Sequence, residues 1–284
     1  MPDQHDPKRD RVSDLYRHNI DQLTGDDIVI ASYGGAGQAI IGNILLELGL
    51  NYVDAYTERL LPDGRAVDVA AHSAYRSRLA ATARAETDRR LRWPRFVKSH
   101  VPARHFADAP LRGVWVLVRD PRDALFSWYN WRRGFAEEEW DQVEGTFEEF
   151  LTRPDYGGAT PVQDWADFYS GWLRAAQKRL VRQVMHFEDL KQHPHEVVSG
   201  ALTAANVSVD DGALAKAVGR SSYEAMRAHE DGVVSSHGGA DAMPRIMNSG
   251  RVAGWRGWIT PELSAAFANP QMDRVAAQFG YSLA

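Results

Sequence analysis

The chain has 284 residues, 44% of them hydrophobic and 25% charged, with a formal net charge of −5. It is long enough for one large α/β domain, and its acidic balance argues against nucleic acid as a partner, so any site for an anionic ligand must be a local positive cluster. The absence of cysteine excludes disulfides, thiolate catalysis and cysteine-ligated metals. No apolar run approaches membrane-spanning length, and the first residues (MPDQHDPKRDRVSD) carry no apolar signal core, so a soluble cytoplasmic protein without a membrane partner is expected.

Residues 1–12 read as a charged, flexible tail and 13–284 as a single domain. Asp27–Tyr33 (DIVIASY) is a predicted strand, and the turn Gly34-Gly35-Ala36-Gly37 leads into a helix over Ala39–Leu48. Residues 51–73 lack periodicity and are expected to be loop-rich, while Ser73–Leu91 is Ala/Arg-rich and helical by propensity. Arg95–Lys98 and Val114–Val118 are predicted strands, and a helix covers Arg122–Trp131. An acidic stretch, Glu137–Glu149, leads to Phe150. Pro161–Gln177 is a strongly amphipathic helix, with Trp165, Phe168, Tyr169, Trp172 and Leu173 at helical spacing. Leu180–Met185 is a fourth strand. Short helices over 188–228, a Gly-rich loop over 229–255 and a closing helix over 261–279 complete the chain. Strands alternating with helices imply a mainly parallel sheet covered on both faces.

Three strand ends carry the chemistry. The β-branched run Val114–Val118 stops at Arg119-Asp120-Pro121, and a helix bearing Ser127 follows. A strand that feeds a turn and a Pro-led helix places Arg119 at the carboxyl rim of a parallel sheet, where ligands of such folds bind. Its guanidinium fork suits phosphate. The strand–glycine turn–helix at 28–45 is a generic phosphate cradle, because glycines allow close backbone approach and a helix start offers free N–H groups. It lacks the Lys-Ser/Thr ending of a nucleotide triphosphatase loop, which argues against ATP hydrolysis. At the third strand end, Lys98-Ser99-His100 offers an imidazole that titrates near neutrality and an ammonium beside it. The histidines at 186, 193 and 195 match no metal-ligand spacing, and no metal is expected.

These stretches, in this order, resemble the sulfotransferase family, which uses 3′-phosphoadenosine 5′-phosphosulfate (PAPS) as sulfuryl donor. The resemblance covers about residues 27–275. It implies a single α/β domain with a mainly parallel sheet flanked by helices. It also implies PAPS as co-substrate and a small-molecule hydroxyl compound as acceptor, with a homodimer as an open possibility. Arg119 and Ser127 match the family's 3′-phosphate motif. Phe96–Pro102 is similar to its Lys-Thr-His-Leu-Pro segment, which implies His100 as general base and Lys98 on the transferring group. Gly34, Gly35, Ala36, Gly37 and Gln38 fall on the 5′-phosphosulfate loop. Met185–Pro194 and Ser221–Met226 resemble the stretches around the adenine, implying Phe187, Ser221 and Tyr223. Gly250, Arg251 and Trp255 fall on the family's second 3′-phosphate segment.

Departures from the pattern are concentrated in two places. Gly35 stands where the family has Lys, Gln38 and Ala39 where it has two hydroxyl residues, and Ile40 where it has an aromatic. Asn248 and Ser249 stand on its basic pair, with Arg251 or Arg245 as substitutes for the charge. Aromatic surface for a partly apolar acceptor is expected from Trp128, Tyr129, Trp131, Phe168 and Trp172. Two readings follow: sulfuryl transfer, or a repurposed sulfotransferase fold that binds another anion, runs another reaction or serves as a non-catalytic binding subunit. Restoring lysine at Gly35 is the probe the sequence suggests for separating them.

Overall fold

The computed structural model describes residues 12–69, 94–134, 143–154, 158–236, 247 and 249–283, without the side chains of 68, 234 and 236. Its centre is a five-stranded parallel sheet in the order β2-β5-β1-β6-β7, formed by β1 (Ile28–Ser32), β2 (Asn51–Val53), β5 (Arg95–Ser99), β6 (Gly113–Val118) and β7 (Val181–His186). A small antiparallel pair, β3 (Glu58–Leu60) with β4 (Ala66–Asp68), stands apart from it. The mainly parallel α/β architecture expected from the sequence is the one observed.

Burial on both faces explains the continuous apolar reading of β1 and β6. Ile28 and Ile30 of β1, with Trp115 and Leu117 of β6, face one core, against α2 (Gln38–Glu47) and the later helices over 194–220. Val29, Ala31, Val114, Val116 and Val118 alternate onto the other face, against the aromatic stripe of the helix Pro161–Ala176. That helix begins at Thr160, whose side chain and that of Gln163 cap each other's backbone. Its buried polar atoms then fasten the carboxyl rim of the sheet. Tyr169 Oη donates to the Leu117 carbonyl (2.9 Å) and accepts from Tyr33 N–H (3.2 Å), and Trp172 Nε1 donates to the Val101 carbonyl (3.0 Å).

Several expectations need correction. Residues 51–73 contain β2, β3 and β4 rather than loop alone, and β2 is a fifth strand of the main sheet. Three-residue strands are too short to show a period. Helix α1 (Asp14–Asp21) opens the described chain, and its Asn19 bridges the Ala55 and Glu58 carbonyls and the Leu60 N–H. Val12 is buried in the core, and residues 1–11 lie outside the described residues, as does the helix expected over 73–91. The loop expected from 229 begins later, because the helix Tyr223–Ser236 runs into it. The closing helix is two, Pro261–Phe267 and Pro270–Gln278, since Asn269 caps the second and Pro270 has no N–H to continue the first.

Candidate active site

β2 and β5 lie on one side of β1, and β6 and β7 on the other. The connections therefore diverge at β1, the place where open α/β sheets leave a crevice outside their carboxyl ends. Three segments emerge there: the glycine turn after Ser32, His100 after β5, and Arg119 after β6.

The glycine turn is shaped by its contacts. Gly35 (φ +81°) and Gly37 (φ +87°) occupy left-handed backbone that disfavours side chains. A Cβ on Gly35 would overlap the Ala124 carbonyl and come within 2.9 Å of Ser127 Cβ, and one on Gly37 would run into the Phe187 ring. Gly34 lies as tightly against the Trp128 indole, and Ala36 is buried, its N–H donating to the Tyr33 carbonyl (3.2 Å). The turn thus rests directly on α3 (Pro121–Gly134) and on Phe187, with no room for a lysine at position 35 in this arrangement. Gln38 starts α2 and turns inward: Nε2 donates to the Ile30 carbonyl (2.9 Å), and Oε1 accepts the Ser32 hydroxyl.

Around β5 the groups are close and mutually fixed. His100 Nδ1 lies 2.7 Å from the Ser32 carbonyl, and the His100 N–H donates to Tyr56 Oη (2.8 Å). The Tyr56 ring stacks on the imidazole with centroids 5.7 Å apart. Lys98, two residues earlier on the same strand, pairs with Asp54 (2.9 Å) and lies 5.5 Å over the same Tyr56 ring. Burial, and secondarily the Lys98 ammonium, lower the His100 pKa to about 4, against the opposing effects of its bond to Ser32 and of Asp54. The imidazole is therefore neutral at pH 7.

Arg119 is buried and cross-links three segments. Its Nη1 donates to the Gly35 carbonyl and Nη2 to the Arg251 carbonyl, both at 3.0 Å, while its guanidinium lies 4.3 Å from the Phe187 ring centroid. Nε is buried without a partner among the described residues, and Ser127, half-buried, lies beside Gly35. A local positive cluster was expected here, but Asp123 lies 3.8 Å from Arg119, and Asp120 and Glu188 also act on it. Each carboxylate is engaged: Asp120 by Arg122 (2.8 Å), Asp123 by the Gly254 N–H (3.1 Å), Glu188 by Tyr281 Oη (2.6 Å) and the Asp120 N–H (3.1 Å). Arg122, Asp120 and Glu188 line a separate cavity of about 340 Å³ that includes none of the glycine turn or the His100 strand.

The remaining expected residues fall in separate places. Phe187 covers Gly37 and Arg119. Tyr223 packs against Gly250, with Lys191 5.3 Å over its ring. Ser221 is buried between its own helix and α2, donating to the Ala217 carbonyl (2.8 Å) and accepting from Asn43 (3.0 Å). Arg251 is exposed, and its carbonyl is the group that meets Arg119; Arg245 and Asn248 lie outside the described residues. Of the expected aromatic surface, Trp128, Tyr129, Phe168 and Trp172 are core residues, and Trp128 stacks on the half-buried Trp131 at 5.0 Å. Sequence reasoning missed Ser32, Asp54 and Tyr56. The last two follow the three-residue β2, and only their place just past a strand end marks them.

With this geometry in view, comparison with known proteins is direct. The family model described as "Sulfotransferase domain" matches residues 25–275, and the chain belongs to that family. A curated mouse protein, sulfotransferase 1B1, is 23% identical over 176 residues, 59% of this chain and 56% of that protein, so the match spans little more than half of that relative. Among solved structures, mouse sulfotransferase SULT7A1 complexed with PAP superposes with a TM-score of 0.60 at 15% identity, covering 94% of this chain and 90% of that one. Retinol dehydratase in complex with androsterone and inactive cofactor PAP gives 0.59 at 15% identity, covering 94% and 83%. These likenesses confirm the fold.

Proposed function

We propose that the protein is a sulfotransferase that moves a sulfuryl group from PAPS to a hydroxyl of a small, partly apolar acceptor. The observation that carries this reading is the convergence of Arg119, Ser127, the glycine turn and the neutral His100 on one sheet rim, in a chain of the sulfotransferase family. The buried, unpartnered Arg119 Nε suits a 3′-phosphate, which gains most from a donor already desolvated, and the half-buried Ser127 hydroxyl stands near it across Gly35. With no lysine at 35, the 5′ end is left to main-chain N–H groups of the glycine turn and the start of α2. When bound, the donor supplies a sulfuryl group whose bond to the 5′-phosphate oxygen breaks, with its electron pair, as the acceptor oxygen binds sulfur.

His100 takes the acceptor's proton on Nε2, because Nδ1 is occupied by Ser32. Lys98, held by Asp54, stabilises negative charge on the transferring group. Tyr56, stacked on His100, and Trp128, packed against Gly34 and stacked on Trp131, offer aromatic surface at this rim; retinol dehydratase, of the same fold, is known with androsterone and with retinol.

Incubation with labelled PAPS and a panel of hydroxyl compounds tests the reading. Transfer that disappears in His100→Ala is expected. No transfer to any acceptor, together with no calorimetric binding of adenosine 3′,5′-bisphosphate, would sink it. The second reading, a repurposed fold, is favoured by one set of observations: Lys98 is neutralised by Asp54, Arg119 is ringed by Asp120, Asp123 and Glu188, and Gly35 replaces a lysine. A thermal-shift screen separates the two. Selective, concentration-dependent stabilisation by the bisphosphate supports the first, and stabilisation by another phosphorylated metabolite alone supports the second.

A further inference from the structure

Ser32, at the end of β1, and Gln38, the first residue of α2, are buried polar side chains that take no direct part in sulfuryl transfer. Their hydrogen bonds form an ordered series that ends at His100. Gln38 Nε2 lies 2.9 Å from the Ile30 carbonyl. A carbonyl only accepts, so this bond fixes which end of the amide is the nitrogen. The other end, Oε1, also only accepts, and it faces the Ser32 hydroxyl. It therefore takes the single hydrogen that this hydroxyl owns.

The consequence falls on the imidazole. Ser32 Oγ lies 3.3 Å from His100 Nδ1, and with its hydrogen committed to Gln38 it can only accept there. The Ser32 carbonyl, 2.7 Å from the same nitrogen, is likewise an acceptor. Both groups facing Nδ1 thus require it to carry the proton. Were the hydroxyl released, it would be the one group among the described residues in contact with Nδ1 able to donate to it, which would favour the opposite tautomer and close off the Nε2 lone pair.

We propose that Gln38 is a positioning residue that fixes the tautomer of His100 by holding the Ser32 hydroxyl hydrogen away from Nδ1, so that the Nε2 lone pair faces an incoming hydroxyl. The functional meaning rests on the reading of His100 as the base, whereas the tautomer itself can be read without any reaction. The departure at position 38 thereby acquires a role, since the glutamine serves the base from beneath the turn instead of facing the donor.

The test is nitrogen NMR of the protein labelled with ¹⁵N-histidine, at pH 7 and without donor or acceptor, with the His100 signals assigned through His100→Gln. The wild-type imidazole is expected to be protonated on Nδ1. Gln38→Met keeps the length and removes the amide, and should shift the tautomer ratio about fivefold toward Nε2–H, the worth of one neutral hydrogen bond. In a Ser32→Ala background the competing donor is gone, so Gln38→Met should produce no shift. A purely structural role would move both backgrounds alike. Equal shifts in both, no shift in either, or a wild-type imidazole protonated on Nε2 overturns the proposal. If Gln38→Met fails to fold, Gln38→Glu decides: its carboxylate still accepts the Ser32 hydroxyl, so the wild-type tautomer must persist, and its loss overturns the proposal. Because no arm measures sulfuryl transfer, failure of the donor assignment would leave these results readable.

Discussion

The rim around His100 and the rim around Arg119 are built on opposite principles, although they flank the same strand. At His100 the polar groups are few and hold one another in a fixed order: Ile30, Gln38, Ser32, imidazole, with Tyr56 stacked alongside. Its one ion pair, Lys98 with Asp54, is matched within the rim, although both charges act on His100. At Arg119 the groups are charged and crowded, and the guanidinium is bonded to carbonyls of the chain's own two loops. Burial at the first rim keeps the imidazole of His100 neutral. At the second it stores a cation whose terminal nitrogens already bond to Gly35 and Arg251, so only Nε is left for a phosphate unless one of those bonds is exchanged. On the proposed function, the protein is pre-organised for proton removal and only partly so for holding the donor.

The sharpest way to break this comparison is at the base. His100→Ala should lower kcat/KM by about 10²–10⁴-fold while leaving calorimetric affinity for the bisphosphate unchanged, since the two rims do separate work. A loss of bisphosphate affinity equal to the loss of rate would show that they do not.

Arg119→Ala attacks the other rim. It removes the donors to Gly35 and Arg251 and leaves Asp123 buried without its cation. Bisphosphate affinity should fall about 10²-fold, and stability by about 2–4 kcal/mol in urea titrations, because bonds made by a charged donor are lost and a buried carboxylate is stranded. Arg119→Lys should recover part of the affinity but not the two-loop bridge. A variant that binds normally would place the 3′-phosphate elsewhere.

Gly35→Lys is the natural probe of an eroded loop, and the structure changes what it should do. At φ +81° the residue is strained as any L-amino acid, and its Cβ overlaps the backbone of α3. The expected result is a stability loss of about 1–3 kcal/mol with no gain in transfer rate. A stable variant with a large gain in rate would mean that the turn lifts off α3 when the donor binds, and that the two rims differ less than they do here.

What the sequence disclosed divides along similar lines. β1 and β6 were legible because their apolar runs are bounded by Gly, Pro or charge, and the helix Pro161–Ala176 because its aromatics keep helical spacing; β5 and β7 carry shorter, mixed stretches. Arg119, Ser127, Lys98 and His100 were legible because each sits at or just past a strand end. The partners of those residues were not. Asp54 lies 44 residues before the lysine it pairs with and Ser32 lies 68 before the histidine it orients, and such long-range pairings leave no local pattern. The inward turn of Gln38 was hidden for a related reason: its residue type suits solvent, and only the buried Ser32 hydroxyl and Ile30 carbonyl make the interior its place.

Acid titration gives the smallest effect and the finest resolution of the two rims. With the His100 pKa held at about 4 by burial and by Lys98, the imidazole stays neutral on lowering the pH from 8 to about 5, so kcat/KM should show no acid limb near 6.5. The same depression has a cost in stability. In the unfolded chain this histidine binds its proton near pH 6.5, and in the folded protein only near 4, so between those values the unfolded state holds more protons. Stability contributed by the neutral imidazole is therefore complete above pH 6.5, declines as pH falls toward 4, and declines no further below it. Allowing for the partial exposure of the ring, this amounts to about 1–2 kcal/mol. Urea midpoints of wild type and His100→Gln, measured from pH 7.5 to 4, should converge by that amount, because glutamine has no proton to gain. An acid limb in kcat/KM at 6.5 with parallel urea midpoints would show an imidazole open to water. The ordered, enclosed character of the His100 rim would then have to be abandoned.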